Sequence, residues 1–261
     1  MEEFRLERPA CFLRYHDLPG EELPILFIHG LGCAGTFDYP QVAAQKPLQK
    51  HRRILVDLLG AGYSDRPERF GYSVSEHADY LAAFATALGL ERFILFGHSL
   101  GGAVAIELAA RCPDRIEQLI LSEANLDKSA SGSTSAYIAD FEQTAFLRSG
   151  FSELVCKSRE SGNSLWTASL SHWLPKAAYL ISKSAASGAV PPWRETLYAL
   201  HCPRTFLFGE NSLPDPDQAV LAAHGISVAI VPGAGHSMAW ENPRGLAEAI
   251  ENAIQTRRVR C

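Results

Sequence analysis

The sequence predicts an α/β protein, a mostly parallel sheet flanked by helices. Three observations predict it. Short apolar runs alternate with longer amphipathic ones along the chain. Each run is too short for a helix and ends in Gly, Asp, Ser or Pro. One of them leads through the glycine-flanked turn Gly97-His98-Ser99-Leu100-Gly101 straight into a helical pattern.

Taken in order, Cys11–Tyr15 alternates weakly and is expected as an antiparallel edge strand. The runs Ile25–Ile28, Ile54–Val56, Phe93–Phe96, Leu119–Leu121, Thr205–Phe208 and Val228–Val231 read as buried strands. Helices are expected over Ser75–Leu88, Leu100–Arg111, Asp217–His224 and Pro243–Thr256. Pro243 suits a first helical turn because it has no N–H to lose there.

Residues 125–200 break the rhythm. A polar stretch from Asp127 to Ser135 is followed by Tyr137, Phe141, Phe146, Phe151, Trp166, Trp173, Tyr179 and Trp193 at helical spacing, with no convincing strand. The expected organisation is a core of residues 1–124 and 201–261 with a helical cap, 125–200, over one end of the sheet. Ligands of open α/β sheets bind outside the carboxyl ends of the strands. His98, Phe141, Trp166 and Trp173 are therefore the expected pocket residues, and the pocket is expected to be mostly apolar.

Composition sets the outer bounds. At 261 residues and 47% hydrophobic, the chain can bury one large core with one insertion. A net charge of −5 argues against nucleic acid, which needs a concentrated basic surface. The basic cluster Arg257, Arg258 and Arg260 reads as a solvated helix end. The start Met1-Glu2-Glu3-Phe4-Arg5 lacks the apolar run of a signal peptide, and no stretch is long enough for a membrane span. Cys11, Cys33, Cys112, Cys156, Cys202 and Cys261 are scattered without Cys-x-x-Cys or metal-ligand spacing. They read as small buried hydrophobes in a reducing compartment, which makes the cytoplasm the expected location. No metal or cofactor is implied, and nothing in the chain fixes an oligomeric state.

The chemistry concentrates at three loops. A tight turn between strand and helix forces strained backbone on Ser99 and exposes its hydroxyl above the sheet, and the flanking glycines keep side chains clear. Serine needs a base within hydrogen-bond reach. Val231-Pro232-Gly233-Ala234-Gly235-His236 supplies one, His236, on a glycine-rich loop after the last strand. An oxyanion needs preorganised donors. The amide of Leu100 is one, at a helix start where the dipole favours negative charge. The amide of Leu31, in His29-Gly30-Leu31-Gly32-Cys33, is assigned as the second. His29 itself reads as a loop-stabilising group.

Four motifs in this order resemble the α/β-hydrolase superfamily over essentially the whole chain. They are His29-Gly30, Asp57-Leu58-Leu59-Gly60-Ala61-Gly62-Tyr63-Ser64-Asp65-Arg66-Pro67, Gly97-His98-Ser99-Leu100-Gly101-Gly102 and Gly235-His236. The resemblance implies the α/β-hydrolase fold, cofactor-independent esterase-like chemistry on a small-molecule ester-like substrate, and a cap after the sixth strand. It also implies the order nucleophile, acid, base. In the common pattern an Asp follows the seventh strand, where this chain has Phe208-Gly209-Glu210-Asn211-Ser212-Leu213-Pro214-Asp215, with Ser212 in the expected place. Some members carry the acid after the sixth strand, which here is Glu123. Glu123 is favoured and Asp215 is the alternative.

A small to medium, apolar carboxylic ester is the expected substrate. A carbon–carbon bond hydrolase or lactonase with the same triad is the alternative enzyme, and a perhydrolase side activity is compatible with it. Epoxide and haloalkane chemistry usually employs a carboxylate nucleophile in that turn, so Ser99 argues against both. A ligand receptor with little turnover is the alternative of another class.

Overall fold

The computed structural model describes residues 1–7 and 10–258, the last two without their side chains. The side chains of Arg257 and Arg258, with Arg260 and Cys261, thus lie outside the described residues. Eight strands form one sheet: β1 (Glu2–Glu7), β2 (Ala10–Leu18), β3 (Glu22–Ile28), β4 (His51–Val56), β5 (Phe93–His98), β6 (Ile116–Ser122), β7 (Arg204–Gly209) and β8 (Ser227–Val231). Their order is β1-β2-β4-β3-β5-β6-β7-β8. β2 runs antiparallel to both β1 and β4, and every pairing from β4–β3 onward is parallel.

β2 is therefore internal, and β1 takes the edge that the sequence reading gave to Cys11–Tyr15. The six residues of β1 alternate charged groups with Phe4 and Leu6, a pattern too short to stand out. Phe4 is nevertheless held, its ring centroid 5.4 Å from that of Phe84.

Two hydrophobic cores follow from strand alternation, because successive side chains point to opposite faces. Leu26, Ile28, Leu95, Leu119 and Leu121 face the helices Val74–Ala87 and Leu100–Arg111. Ile25, Phe27, Ile94, Phe96 and Ile120 face the last helix, Pro243–Arg258. The helix Val74–Ala87 opens on a capping box, in which the Ser73 hydroxyl and the Glu76 carboxylate each satisfy the other's backbone amide.

Between β6 and β7 the chain forms helices only, the longest being Phe151–Glu160 and Pro175–Ser187. Arg194, near the end of this segment, pairs with Asp127 at its start (2.6 Å) and with Asp217 beyond β7 (2.9 Å). The start and the end of this helical segment are thereby drawn together. Among the described residues no helix is long and apolar enough to cross a membrane, and no group of three or more His, Cys, Asp or Glu could hold a metal ion. Of the free cysteines, Cys11 and Cys33 are buried as expected, while Cys156 is exposed.

Candidate active site

The turn after β5 places Ser99 with φ 51° and ψ −125°, a left-handed conformation costly for a residue with a Cβ. Its surroundings over-determine it. The Ser99 amide donates to the Ser122 carbonyl, and the Ser99 carbonyl accepts from the amides of Gly102 and Asn125. A Cβ on Gly97 would lie 2.7 Å from the Ala105 Cβ, and one on Gly101 would run into the His29 carbonyl. Strand and helix can approach this closely only with glycine at both places.

β6 ends beside this turn. The Glu123 amide still donates to Leu207 in β7, but its φ of 39° swings the side chain off the strand direction. The carboxylate so delivered accepts from His236 Nδ1–H at 2.7 Å and from the Gly209 amide at 2.9 Å. On the other side of the imidazole, Nε2 lies 3.1 Å from Ser99 Oγ, across 137 positions of sequence. Burial works to raise the Glu123 carboxyl, but hydrogen bonds from His236, Gly209 and the Ser212 hydroxyl together hold it below the usual glutamate value. Asp215 is elsewhere, its carboxylate accepting from the Asp217 amide at the start of the helix Asp217–Ala223 (2.8 Å).

The loop that carries His236 is fastened at three successive positions. The Glu210 carboxylate accepts from Gly233 (2.8 Å), the Ala234 carbonyl accepts from Asn211 (2.8 Å), and the Glu241 carboxylate accepts from Gly235 (2.6 Å). Sequence reasoning passed over Glu210 and Glu241 and treated Ser212 only as a departure from a pattern. The one available signal was their spacing within a few residues of the glycine-rich loops.

His29 is fully buried. Its Nδ1–H donates to the Gly30 carbonyl (2.9 Å) and its Nε2 accepts from the Leu58 amide (2.9 Å), so it ties the loop after β3 to the loop after β4. In that second loop, Asp57 accepts from the Thr36 amide and hydroxyl and from the Tyr63 amide. The motif Asp57–Pro67 is thus scaffold for the loops around Ser99. His98 is driven down to about 3 by burial first and by its neighbour His236 second, so it stays neutral. Its Nδ1–H donates to Ser122 O at 3.1 Å, and its ring packs 4.8 Å from that of His236.

The helices between β6 and β7 pin the loop after β3. The Trp166 indole donates to the Leu31 carbonyl (2.9 Å) and the Trp173 indole to the Cys33 carbonyl (2.7 Å). Above Ser99 lies a cleft of about 420 Å³, to which His98 and Trp166 contribute. Trp173 is buried edge-on to His29, and Phe141 packs against Tyr137 and Phe146. Neither lines the cleft as expected. Both belong instead to the hydrophobic core that continues from the sheet into the helices between β6 and β7.

One buried acid lies close behind. Asp38, only 4% exposed, accepts from the Ala34 amide at 2.5 Å beside the Cys33 thiol and the Trp240 indole. Burial lifts its carboxyl from an ordinary 3.8 to about 7; the charge of Asp57 adds to the rise, and the neighbouring amide, thiol and indole oppose it. The folded chain therefore keeps a proton that the unfolded chain has released above about pH 4. The stability due to that proton is full below pH 4 and is lost as pH rises to about 7. Asp38→Asn should remove this decline. The difference is worth on the order of a few kcal/mol and is readable as melting temperature between pH 5 and 8. Parallel pH curves for the two proteins would refute it.

Comparison with known proteins agrees with this fold. A thermophilic esterase from Thermogutta terrifontis, solved with malate bound, superposes with a TM-score of 0.78 at 22% identity over 98% of this chain and 99% of that one. An uncharacterized protein of Mycobacterium tuberculosis is 29% identical over 272 residues, 94% of this chain and 79% of its own length. A 2-hydroxymuconate semialdehyde hydrolase of Pseudomonas putida is 37% identical over 106 residues, 41% of this chain and 37% of that protein. The family profile of the alpha/beta hydrolase fold matches residues 24–243, and the chain belongs to that family.

Proposed function

We propose that the protein is a serine hydrolase that cleaves a carboxylic ester through an acyl-enzyme, with Ser99 as nucleophile, His236 as base and Glu123 as acid. What supports this is the relay Glu123–His236–Ser99, with links of 2.7 and 3.1 Å on a strained strand-to-helix turn. His236 Nε2 takes the Ser99 proton as Oγ bonds to the carbonyl carbon. The carbonyl π pair moves onto oxygen and returns as the alkoxide leaves, protonated by His236. Water then repeats the sequence on the acyl-enzyme and releases the acid. Glu123 holds the imidazole in the tautomer whose Nε2 can accept, and stabilises the imidazolium that follows.

The amides of Leu31 and Leu100 are the proposed oxyanion donors. A trans peptide points its C=O and N–H in opposite directions. The Gly30 carbonyl is turned to the His29 imidazole and the Cys33 amide, so the Leu31 N–H faces away from that buried side. Gly30 itself borders Ser99: a Cβ there would stand 3.0 Å from the Ser99 Cβ. Leu100 opens its helix, where the first amides have no carbonyl partner within the helix. We also assign residues 125–200 as a cap, because Trp166 lines the cleft from that segment and holds the Leu31 carbonyl.

A carbon–carbon bond hydrolase is the second reading, favoured by the likeness to the Pseudomonas enzyme over 106 residues. A fluorophosphonate probe, which reacts quickly only with an activated serine, separates both hydrolase readings from a non-catalytic receptor. Rapid labelling is expected, with the adduct located on Ser99 by mass spectrometry. An unlabelled Ser99 in folded protein would refute the hydrolase assignment.

A further inference from the structure

Resting on the serine-hydrolase reading, we infer that the cleft selects an uncharged ester bearing hydrogen-bonding groups near the scissile carbonyl, such as a hydroxy, keto or amide ester, over a plain alkyl ester. The cleft, about 420 Å³, is of small-molecule size. Its wall carries the polar groups of Asn125, Ser133, Thr134, Ser135 and Asn163 beside apolar surface from Leu31, Cys33, Leu100 and Trp166. No Asp, Glu, Lys or Arg lines it among the described residues. The aromatics that could have made an alkyl pocket are spent on the hydrophobic core, where Tyr137, Phe141, Phe146 and Tyr179 pack ring against ring.

The polar wall is held in place. The Asn125 backbone N–H donates to the Ser99 carbonyl, which fixes the residue next to the proposed nucleophile. The Ser133 hydroxyl accepts from the Ala136 amide, and the hydroxyls of Ser129 and Ser135 bond each other at 2.6 Å. A hydroxyl has one donor and two acceptor sites, so these side chains keep capacity for a ligand after their internal bonds are made. An alkyl chain laid along the polar side of this wall strips water from these groups without replacing their hydrogen bonds. A site built to hydrogen-bond discriminates strongly against the analogue that cannot. A carboxylate on the substrate would find no cation to meet it.

The test compares three p-nitrophenyl esters of matched length: 3-hydroxybutyrate, butyrate and the hemisuccinate anion. Each kcat/KM is divided by the ester's own alkaline hydrolysis rate to remove intrinsic reactivity. The hydroxy ester should exceed the alkyl ester by about tenfold or more, a ratio equivalent to at least one hydrogen bond, and the anion should be the slowest. In the near-isosteric variant Asn125→Leu/Thr134→Val the hydroxy-to-alkyl ratio should collapse towards one. Fluorophosphonate labelling of Ser99 is read in the same samples. Labelling together with a parent ratio of one or below overturns the substrate inference and leaves the hydrolase reading standing. Absence of labelling overturns the hydrolase reading and this inference with it. The parent ratio decides the matter even if the double variant fails to fold.

Discussion

Ser99→Ala should lower aryl-ester kcat/KM by on the order of 10⁶-fold while leaving the fold intact. The proposed attacking atom is the one removed, and nothing else in the turn can replace it. His98 is neutral and engaged with Ser122, and Cys33 is a buried thiol whose ionisation burial opposes. The effect on stability should be small for a separate reason. The backbone strain at φ 51° is carried equally by alanine, since both residues have a Cβ. The hydrogen bond that is lost leaves His236 Nε2 without its partner, but the His236 side chain is 55% exposed and water can take over that bond. The change in unfolding free energy should stay within about 0.5 kcal/mol. Initial rates and thermal unfolding on the same preparations check both statements. Retention of more than about a hundredth of the parent rate in a variant free of parent contamination would remove Ser99 from the centre of the chemistry.

The sequence carried the core well because the buried parallel strands are covered on both faces. Ile25–Ile28 and Phe93–Phe96 are therefore apolar at every position, a signal that survives without any tertiary information. The helix Leu100–Arg111 was readable to the residue because glycines on one side and Arg111-Cys112-Pro113 on the other mark its ends. What escaped was decided by long-range packing. The edge strand β1 depends on Phe4 finding Phe84. The choice between Glu123 and Asp215 as partner of His236 turns on a positive φ at Glu123 that no local pattern announces, and on the Gly209 amide and Ser212 hydroxyl waiting for its second oxygen. The polar groups in the cleft wall were hidden for a related reason. Phe141 and Asn163 both lie between β6 and β7, and only the folded arrangement decides which turns inward and which lines the cleft.

Glu123→Gln should cost on the order of 10⁴ in kcat, through the tautomer of His236 more than through the loss of charge alone. Both carboxylate oxygens are acceptors: Oε2 for His236 Nδ1–H, and Oε1 for the Gly209 amide. A glutamine amide has only one oxygen. Facing that oxygen to His236 would set the NH₂ against the Gly209 N–H, donor against donor, in a carboxyl site only 13% exposed. The amide will therefore turn its oxygen to Gly209 and its NH₂ to His236. Nδ1 then becomes an acceptor, the ring proton moves to Nε2, and Nε2–H points at Ser99 Oγ with no lone pair left to receive its proton. In the parent the carboxyl lies below the usual glutamate range, so it remains ionised through neutral and mildly acidic pH and the defect should not be rescued there. Asp215→Asn is the matched control and should stay within about twofold, since Asp215 serves the Asp217 amide and an asparagine oxygen can do the same. The fluorophosphonate labelling rate of Ser99 should fall in step with kcat in Glu123→Gln. A variant that keeps a tenth of the parent rate, or a large loss in Asp215→Asn instead, would show that the carboxylate in contact with the imidazole is not the one that catalysis uses.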